Sequence, residues 1–484
     1  MSEVGAARHG AVLGLDLGTS EAKAVLVGLD GSLMGLGRSP IRTEVGADGR
    51  AEQDPRDWWR ACAAAVRAIP GVAVAPPGSS SGGSWRDHGR PEVLAIGIVG
   101  QGPTLAIVDE DARPLRAAIT WQDRRIAEGG FTLLPKIGWL AREDADAAAA
   151  ARWLLTSWDA LGLWLTGEAA QTLQAHETAL AVDELEAAGV RPSQVPDPLP
   201  FGQPLGWLRS EAAAALGVSA GIPVVAGVND GTGSMLGAGL REPGDGVDTG
   251  GTSGGIGIYV DHPVEVPGLF VAPAPLPGRW VVGGAMAATG AAVDWFRTAL
   301  AAGSSPEALF AAAGSAPAGA SGIVFLPYLA GERAPVFDER ARGAFVGLTL
   351  AHDRSHLARA VLEAAAYALR HVAEPLVAAG APLRELRLAG RPTHGDTWAR
   401  IKADVLGVPV AIPVIESTAV LGAAILAAAG AGLHPDLETA VAAMTAVDRR
   451  IEPDRSVRDV YDARFAVYRS LYPALAPAMH ALGE

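Results

Sequence analysis

Disulfide bonding, secretion and membrane insertion have little support in this sequence. Its 484 residues contain a single cysteine, Cys62, so no disulfide can form within the chain, and no Cys/His cluster predicts a metal-stabilised fold. Residues 1–10 lack the apolar run of a secretion signal. The longest mildly apolar stretch, 419–433, is short and rich in alanine and glycine, which is typical of a buried helix. We therefore expect a cytoplasmic protein that does not insert into a membrane.

Positive charge is also scarce. The chain has 39 Lys and Arg against 53 Asp and Glu, and its net charge of −14 argues against nucleic acid as the main partner. An anionic nucleotide is not excluded, because local loops and a metal ion can bind one. Neither G-x-x-x-x-G-K-S/T nor G-x-G-x-x-G occurs, so a P-loop and a dinucleotide fingerprint are both unsupported. With 49% hydrophobic and 19% charged residues, the sequence indicates a globular protein, and its length fits two large domains.

One short sequence motif occurs twice. It reads Gly14-Leu15-Asp16-Leu17-Gly18-Thr19-Ser20, with Lys23 close behind, and then Gly246-Val247-Asp248-Thr249-Gly250-Gly251-Thr252-Ser253-Gly254. Each copy ends an apolar run and predicts a β-hairpin turn whose backbone N–H groups and hydroxyls can meet a phosphate. The aspartate at the first strand end, Asp16, can hold a hydrated Mg²⁺. Either loop alone is ordinary turn chemistry. Two copies almost half a chain apart predict two related domains that each lend one loop to a nucleotide.

Apolar runs of strand length alternate with helix-length segments in both halves of the chain, which predicts α/β architecture. The predicted strands include 12–15, 23–29, 93–99, 104–108, 223–228, 323–326, 386–389 and 408–412, and the predicted helices include 57–69, 232–240, 355–376, 397–406 and 419–429. The stretch over 137–165 is predicted to be mostly helical. Residues 76–91 read as a flexible loop or insertion. Pro243-Gly244 marks a boundary, so we expect an N-terminal domain over 1–243 and a C-terminal domain over 244–484.

Further segments make the sequence resemble one family, the FGGY carbohydrate kinases of the actin/hexokinase-like ATPase superfamily, and among them most closely the xylulokinases. Besides the two loops, the matching segments are Glu52-Gln53-Asp54-Pro55, Trp58-Trp59, Ala95-Ile96-Gly97-Ile98, Gly100-Gln101, Ala118-Ile119-Thr120-Trp121-Gln122-Asp123-Arg124-Arg125, Pro223 to Gly239, Pro327-Tyr328-Leu329, Gly331-Glu332-Arg333-Ala334-Pro335, Ala341-Arg342-Gly343, Val405 to Val410 and Leu421-Gly422-Ala423-Ala424. They cover nearly the whole chain in the family's order. The resemblance implies two actin-like (ribonuclease H-like) ATPase domains with a cleft between them.

The resemblance also implies a reaction, the transfer of the γ-phosphoryl group of ATP to a hydroxyl of a small ketose or polyol, with Mg²⁺ present. It implies that Asp230 is the general base and that Asp16 holds the metal. The implied nucleotide-binding residues are Gly18, Thr19, Ser20, Lys23, Gly251, Thr252, Ser253, Gly254, Gly390 and Arg391. The implied acceptor-binding residues are Gln101, Gly102, Pro103, Trp121, Asp123, Asn229 and Asp230. Plainer roles stay open for three of them: a helix N-cap for Asp230, core packing for Trp121 and a solvated strand position for Lys23.

The sequence departs from the family pattern at three places. Pro103 stands where xylulokinases carry a sugar-contacting histidine, Arg391 replaces the second glycine of the turn under the adenine, and the segment between Arg125 and Phe131 is short. The acceptor is therefore open among xylulose, erythritol, ribulose and an aldonate. An actin-like ATPase with a chaperone or regulatory role is the alternative, although only about ten residues precede the first strand, too few for an added DNA-binding module. A homodimer is also possible by analogy.

Overall fold

The computed structural model describes residues 10–70, 91–126, 132–174, 177, 179–251, 253–301, 303–390 and 396–482. The chain divides into two compact units. The first unit comprises Met1–Gly239 and Thr418–Thr445, and the second unit comprises Leu240–Ser417 and Ala446–Glu484. No helix of the described ranges combines the length and apolar character that crossing a bilayer requires.

Strands and helices alternate, as the sequence predicts. The strands are β1 (Gly10–Leu17), β2 (Glu21–Gly28), β3 (Leu33–Pro40), β4 (Glu44–Val45), β5 (Ala51–Gln53), β6 (Glu92–Gly100), β7 (Ala106–Val108), β8 (Ala118–Ile119), β9 (Trp153–Leu155), β10 (Gln171–Leu173), β11 (Pro198–Pro200), β12 (Pro204–Trp207), β13 (Pro223–Val225), β14 (Val228–Asn229), β15 (Asp245–Asp248), β16 (Gly255–Val260), β17 (Phe270–Pro273), β18 (Trp280–Ala285), β19 (Val324–Leu326), β20 (Ala344–Val346), β21 (Glu385–Leu388), β22 (Val410–Pro413) and β23 (Val447–Ile451). The helices are α1 (Pro55–Arg67), α2 (Leu134–Glu143), α3 (Ala145–Ala150), α4 (Ser157–Thr166), α5 (Val182–Ala187), α6 (Ser210–Leu216), α7 (Asp230–Gly237), α8 (Thr289–Trp295), α9 (Pro306–Ser315), α10 (Arg354–Ala378), α11 (Asp396–Leu406), α12 (Thr418–Gly430), α13 (Leu437–Met444) and α14 (Arg458–Leu482).

The main sheet of the first unit has the order β12-β13-β6-β1-β2-β3, with β14 also pairing with β6. Its central strand β1 is apolar on both faces, because helices cover both sides. Leu13 and Leu15 belong to one core cluster with Trp58 of α1. On the other face, a Cβ at Gly14 would lie 2.3 Å from the carbonyl oxygen of Val420 in α12, so glycine at that position lets the helix backbone lie directly on the strand.

Helix α12 corrects one sequence-based expectation. The division between the units falls after Gly239, close to the predicted boundary at 243/244, but residues 418–445 belong to the first unit and not to the second. The chain returns because α12 is apolar all round and needs a buried place, which β1, β6 and α7 supply. A sequence-based division into two continuous halves cannot detect such a return.

The second unit has a similar architecture, a main sheet that packs against helices. Its main sheet has the order β17-β18-β16-β15-β21-β22-β23, in which β15 and β16 form an antiparallel hairpin and β15, β21 and β22 are parallel. The long helix α10 and the helix α11 contribute buried residues, among them Leu369 and Ala399, to the core under this sheet. Both predicted phosphate loops are thus hairpin turns at the end of a central strand, as expected.

The stretch over 137–165 is mostly helical, as predicted, but a short strand interrupts it. Helix α2 ends at Glu143, and Asp144 then caps α3 by accepting a hydrogen bond from the Ala147 N–H. The strand β9 follows and pairs with β7 before α4 begins. Alanine-rich sequence favours helix throughout this region, and the pairing of β9 with β7 is a tertiary contact that overrides the local preference.

Candidate active site

Three predicted segments meet at one edge of the main sheet in the first unit. Leu17, the last residue of β1, pairs with Gly100 at the end of β6, and Asn229 of β14 pairs with the same Gly100. All three strands are parallel here, so their carboxyl ends lie side by side. The first phosphate loop, the segment that begins at Gln101 and the start of α7 are therefore neighbours.

The first loop is held by a close turn and a charge pair. The Gly18 N–H donates to the Glu21 carbonyl at 3.1 Å, and the Lys23 ammonium lies 3.1 Å from Oδ2 of Asp16, its cross-strand partner. The negative charge of Asp16 is the main reason that the pKa of Lys23 is raised. The Asp16 side chain is buried, and its Oδ1 has no hydrogen-bond partner. Ser20 is exposed at the tip of the turn.

Two neighbouring polar residues at the start of α7 have different roles. The N-cap is Asn229, whose Oδ1 accepts a hydrogen bond from the Thr232 N–H at 2.7 Å, while its Nδ2 donates to Oε1 of Gln174 at 2.6 Å. Asp230 is the first helical residue and does not serve as the cap. Burial, reinforced by the charge of Asp16 and opposed by Lys23, raises the pKa of Asp230 to about 7. Asp230 is thus a carboxyl within electrostatic reach of the first loop.

Trp121 is linked to the first loop by a hydrogen bond. Its half-buried indole donates from Nε1 to the Thr19 hydroxyl at 3.0 Å. The backbone carbonyl of the same Thr19 accepts from Nε2 of Gln53 at 2.7 Å, and Gln53 in turn accepts at Oε1 from the buried Gln101 at 2.7 Å. The predicted acceptor residues Trp121 and Gln101 are therefore connected to the phosphate loop through Thr19 and Gln53.

Gln53, which the sequence did not assign to the site, contacts two of the predicted site residues, Thr19 and Gln101. Its side chain is buried and uses all of its hydrogen-bonding capacity, since Oε1 also accepts from the Trp58 indole and Nε2 also donates to the Thr43 hydroxyl. The signal was present in the family segment at 52–55, but the sequence cannot show that a residue before α1 reaches the loop after β1.

Gly102, in the segment after β6, is packed closely against Trp158. A Cβ at this position would lie 2.6 Å from the ring of Trp158, so any side chain there would displace the tryptophan. Oε1 of Gln101 and Nε1 of Trp158 are both buried without a hydrogen-bond partner. Pro103 is half-buried and supplies no hydrogen-bond donor, and the Thr104 hydroxyl accepts from the Trp121 N–H at 3.2 Å. The segment from Gln101 to Thr104 therefore lies against Trp121 and the indole ring of Trp158.

Asp123 is engaged within the unit. Its Oδ1 accepts from the backbone N–H and Nε of Arg125, and its Oδ2 accepts from Nη2 of Arg125 and the Ala51 N–H, at 2.6–3.0 Å. Burial by itself would raise the pKa of Asp123, but these hydrogen bonds outweigh it, so that the pKa is lowered. Four donors fill the acceptor positions of one carboxylate. This geometry favours a positioning role for Asp123 over direct contact with an acceptor hydroxyl.

The second loop lies in the second unit. It opens at Gly250 and Gly251, both with positive φ, and a Cβ at Gly251 would meet no atom of the described residues within 4 Å. Gly254, by contrast, is packed against Thr289, whose Oγ1 donates to the Ser253 carbonyl at 2.6 Å. The loop is thus anchored at its end.

The predicted adenosine turn begins beside this loop. The Ala389 N–H donates to the Asp248 carbonyl at 2.9 Å, and Gly390 follows with a φ of +68°. Thr252 and Arg391 lie outside the described residues, so their predicted nucleotide contacts stay predictions. The Lys402 ammonium lies 2.5 Å from the carboxylate of Asp248, the aspartate of the second loop. The sequence did not single out Lys402.

Comparison with known proteins identifies the family. Residues 11–130 match the N-terminal domain of the FGGY family of carbohydrate kinases, and residues 247–431 match its C-terminal domain. The chain is 29% identical to the xylulose kinase of Escherichia coli over 96% of this chain and 99% of that protein. It is 32% identical to the glycerol kinase of Thermus brockianus, with 87% and 90% covered.

Comparison with a solved structure supports the same family. The xylulose kinase of Rhodospirillum rubrum superposes with a TM-score of 0.80 at 30% identity, covering 97% of this chain and all of that one. Both halves thus match carbohydrate kinases, which favours a metabolic enzyme over the alternative of a chaperone-like or regulatory ATPase. The chain belongs to the FGGY family of carbohydrate kinases and is an ATP-dependent sugar kinase.

Proposed function

We propose that this kinase phosphorylates a hydroxyl of a small ketose or polyol and that Asp230 is its general base. The observation that carries the proposal is the placement of the Asp230 carboxyl, half-buried at the start of α7 and within electrostatic reach of Asp16 and Lys23. A base for phosphoryl transfer must lie near the phosphate loop, and its pKa should be close to the working pH.

The proposed reaction is a single displacement. The acceptor hydroxyl oxygen bonds to the γ-phosphorus of ATP, the bond from that phosphorus to the bridging oxygen breaks, ADP leaves and the hydroxyl proton passes to Asp230. Lys23 and the N–H groups of the first loop neutralise charge on the transferring phosphoryl group. Asn229 fixes the start of α7, since it caps the helix and is itself held by Gln174.

The residues present fit a magnesium ion near Asp16. Its buried Oδ1 lacks a partner, and carboxylate oxygen is the ligand type that Mg²⁺ prefers. Within the described ranges there is no group of three or more His, Cys, Asp or Glu residues that could hold a metal on its own, so water and nucleotide oxygens would complete the shell. When bound, the ion would neutralise phosphate charge.

The nucleotide assignment in the second unit is supported by the turn at Gly250 and Gly251. Backbone N–H groups of such a glycine turn, with Ser253 and Thr252, would bind the phosphates, and the turn from Gly390 into Arg391 would lie at the adenosine. Asp123 enters the proposal as a positioning residue, which orients Arg125 at the edge of the acceptor site.

The acceptor is proposed by class. The relatives are named for xylulose and glycerol, and Trp121 offers an aromatic face to sugar C–H groups. The Pro103 side chain has no hydrogen-bonding group at the position where the resemblance implies a sugar-contacting histidine, and a Cβ at Gly102 would lie 2.6 Å from the Trp158 ring. We therefore propose three candidates for the preferred acceptor: xylulose, another ketose, or a polyol such as erythritol.

A coupled ADP-release assay with ATP and Mg²⁺ tests the proposal. The panel contains xylulose, ribulose, erythritol, xylitol, ribitol, glycerol and aldonates. One strong hit supports the proposed class and identifies the acceptor, and a preference for an aldonate overturns it. No turnover with any ketose or polyol, although calorimetry shows ATP binding, contradicts the acceptor class, and absence of ATP binding contradicts the nucleotide assignment.

A further inference from the structure

A lysine is buried under the second phosphate loop. The Lys402 side chain, on α11, is 1% exposed, and its ammonium lies 2.5 Å from Oδ2 of Asp248 and 4.1 Å from the centroid of the Trp398 ring. Lysine is rarely buried to this extent, because removing an ammonium from water is costly unless a partner compensates. Burial lowers the pKa of Lys402, and Asp248 opposes that shift.

Asp248 connects this lysine to the loop. It is the last residue of β15, and its Oδ1 accepts a hydrogen bond from the Gly250 N–H at 3.0 Å. One carboxylate therefore joins the turn of the phosphate loop to α11, the helix that follows the predicted adenosine turn. The Asp248 carbonyl adds a second link, since it accepts from the Ala389 N–H just before that turn.

Both charged side chains also face the loop's own cavity. A small space is lined by Asp248, Lys402 and Trp398 together with Gly250, Gly251 and Thr289 of the loop and its anchor. A Cβ at Gly251 would meet no atom of the described residues within 4 Å, so no neighbouring group is packed closely against this glycine. Among the described residues, the Asp248 carboxylate is the only group that accepts a hydrogen bond from the Gly250 N–H.

We propose that the buried Lys402–Asp248 pair is a positioning device, which fixes the second phosphate loop relative to α11 and so sets the affinity for ADP and ATP. This inference rests on the proposed nucleotide role of residues 250–254. Stability alone does not account for the pair, since well-packed apolar residues replace buried ion pairs at little cost. A charged pair with one hydrogen-bonded geometry fixes a loop conformation that an apolar contact would leave free.

The test measures the dissociation constant of MgADP by calorimetry and the melting temperature of each full-length variant. Lys402→Met leaves Asp248 buried without its partner. Asp248→Asn combined with Lys402→Met keeps an oxygen for the Gly250 N–H, removes both charges and protects the test against a single variant that fails to fold. The matched control is Arg359→Met, which breaks another buried pair of this unit, 2.8 Å long, between Arg359 and Glu363 on α10.

We expect Lys402→Met and Arg359→Met both to lower the melting temperature, while only Lys402→Met weakens MgADP binding, by about tenfold or more. The double variant should recover stability but not affinity, because the link from the loop to α11 is still missing. The proposal is overturned if Lys402→Met binds MgADP as the wild type does well below its melting temperature, or if affinity recovers together with stability in the double variant.

A loop variant separates failure of this inference from failure of the proposed function. Ser253→Glu places a negative charge where the phosphates are proposed to bind. If it abolishes MgADP binding and Lys402→Met does not weaken it, only the positioning role is wrong. If neither variant changes the dissociation constant, the loop does not bind the nucleotide, and the nucleotide assignment of the second unit fails as well.

Discussion

At the scale of single residues, burial does not by itself identify a catalytic carboxyl. The pKa values of both Asp159 and Asp230 in the first unit are raised to about 7, in each case mainly by burial. Asp159 accepts from the Thr172 N–H inside the fold, whereas Asp230 is influenced by Asp16 and Lys23 of the phosphate loop. The neighbours of Asp230, and not the raised pKa, therefore support the role that we propose for it.

Asp230→Asn is expected to lower kcat by about 10²–10⁴-fold, because the variant cannot accept the hydroxyl proton. MgADP affinity should stay within about twofold, since the substitution keeps the size of the side chain. Steady-state kinetics and calorimetry measure the two effects. Asp159→Asn is the matched control and should retain most of the turnover; near-normal kcat in Asp230→Asn would show that another group is the base.

The pH dependence of the acceptor kcat/KM should follow Asp230. A general base acts as the carboxylate, so a raised pKa places its loss of activity at higher pH than for an ordinary aspartate. The acceptor kcat/KM should be about half-maximal near pH 7, approach its full value at higher pH, and fall as the pH drops below that value. A profile that is flat down to about pH 5, or a limb that disappears in Asp159→Asn, would contradict the assignment.

Trp121→Phe separates two functions of the tryptophan. The variant keeps an aromatic face but loses the hydrogen bond to the Thr19 hydroxyl. We expect kcat to fall by about tenfold with a smaller change in the acceptor KM, because the loop loses a fixed contact while ring stacking remains. Thr19→Val removes the same bond, so the two changes should be non-additive; full additivity would show that the bond has no role in turnover.

At the scale of elements, glycines bring α7 and α12 into direct backbone contact. A Cβ at Gly237 would lie 1.9 Å from the Thr418 carbonyl oxygen, and a Cβ at Gly422 would lie 2.0 Å from the Gly233 carbonyl oxygen. No real contact is that short, so even a methyl group must push the helices apart. Since α7 begins with Asp230, this packing also sets the position of the proposed base.

Gly422→Ala is therefore expected to lower the melting temperature by about 5 °C or more and to reduce kcat together with it. Gly314→Ala is the control, because its Cβ would make only ordinary contacts from 3.4 Å, and in helix α9 alanine is favoured over glycine. Differential scanning calorimetry compares the two. A Gly422→Ala protein as stable as the wild type would mean that the helices separate at no cost.

At the scale of the whole molecule, residues 418–445 return to the first unit, and this return determines which part of the chain can fold by itself. Gly14 of β1 and Gly97 of β6 lie directly under the backbone of α12, with Cβ positions 2.3 Å from the Val420 oxygen and 1.9 Å from the Ala423 oxygen. Without that helix the apolar face of these strands would be open to water.

A fragment of residues 1–243 should accordingly be insoluble or lack cooperative unfolding. The same fragment with residues 418–445 attached through a flexible linker should unfold cooperatively. Circular dichroism during heating distinguishes the two, with the full chain as reference. Cooperative unfolding of 1–243 by itself would show that α12 is not needed for the first unit, and would favour the continuous division that the sequence suggests.

Much of the protein was determined by local sequence. The alternation of strands and helices, both glycine hairpins and the family all follow from short-range patterns, because periodicity, turn residues and motif order are properties of consecutive residues. The positions of Asp16, Gln101 and Asn229 at strand ends were predictable for the same reason, since apolar runs end where polar residues begin.

Contacts between distant segments were decided only by the tertiary structure. Packing joined Gln53 to Thr19, saturated Asp123 with Arg125 and Ala51, buried Lys402 against Asp248 and returned α12 to the first unit. Each of these depends on which side chains can be removed from water together. That is a property of the packed whole, because the free energy of burying a polar group is set by partners that lie far away in the chain.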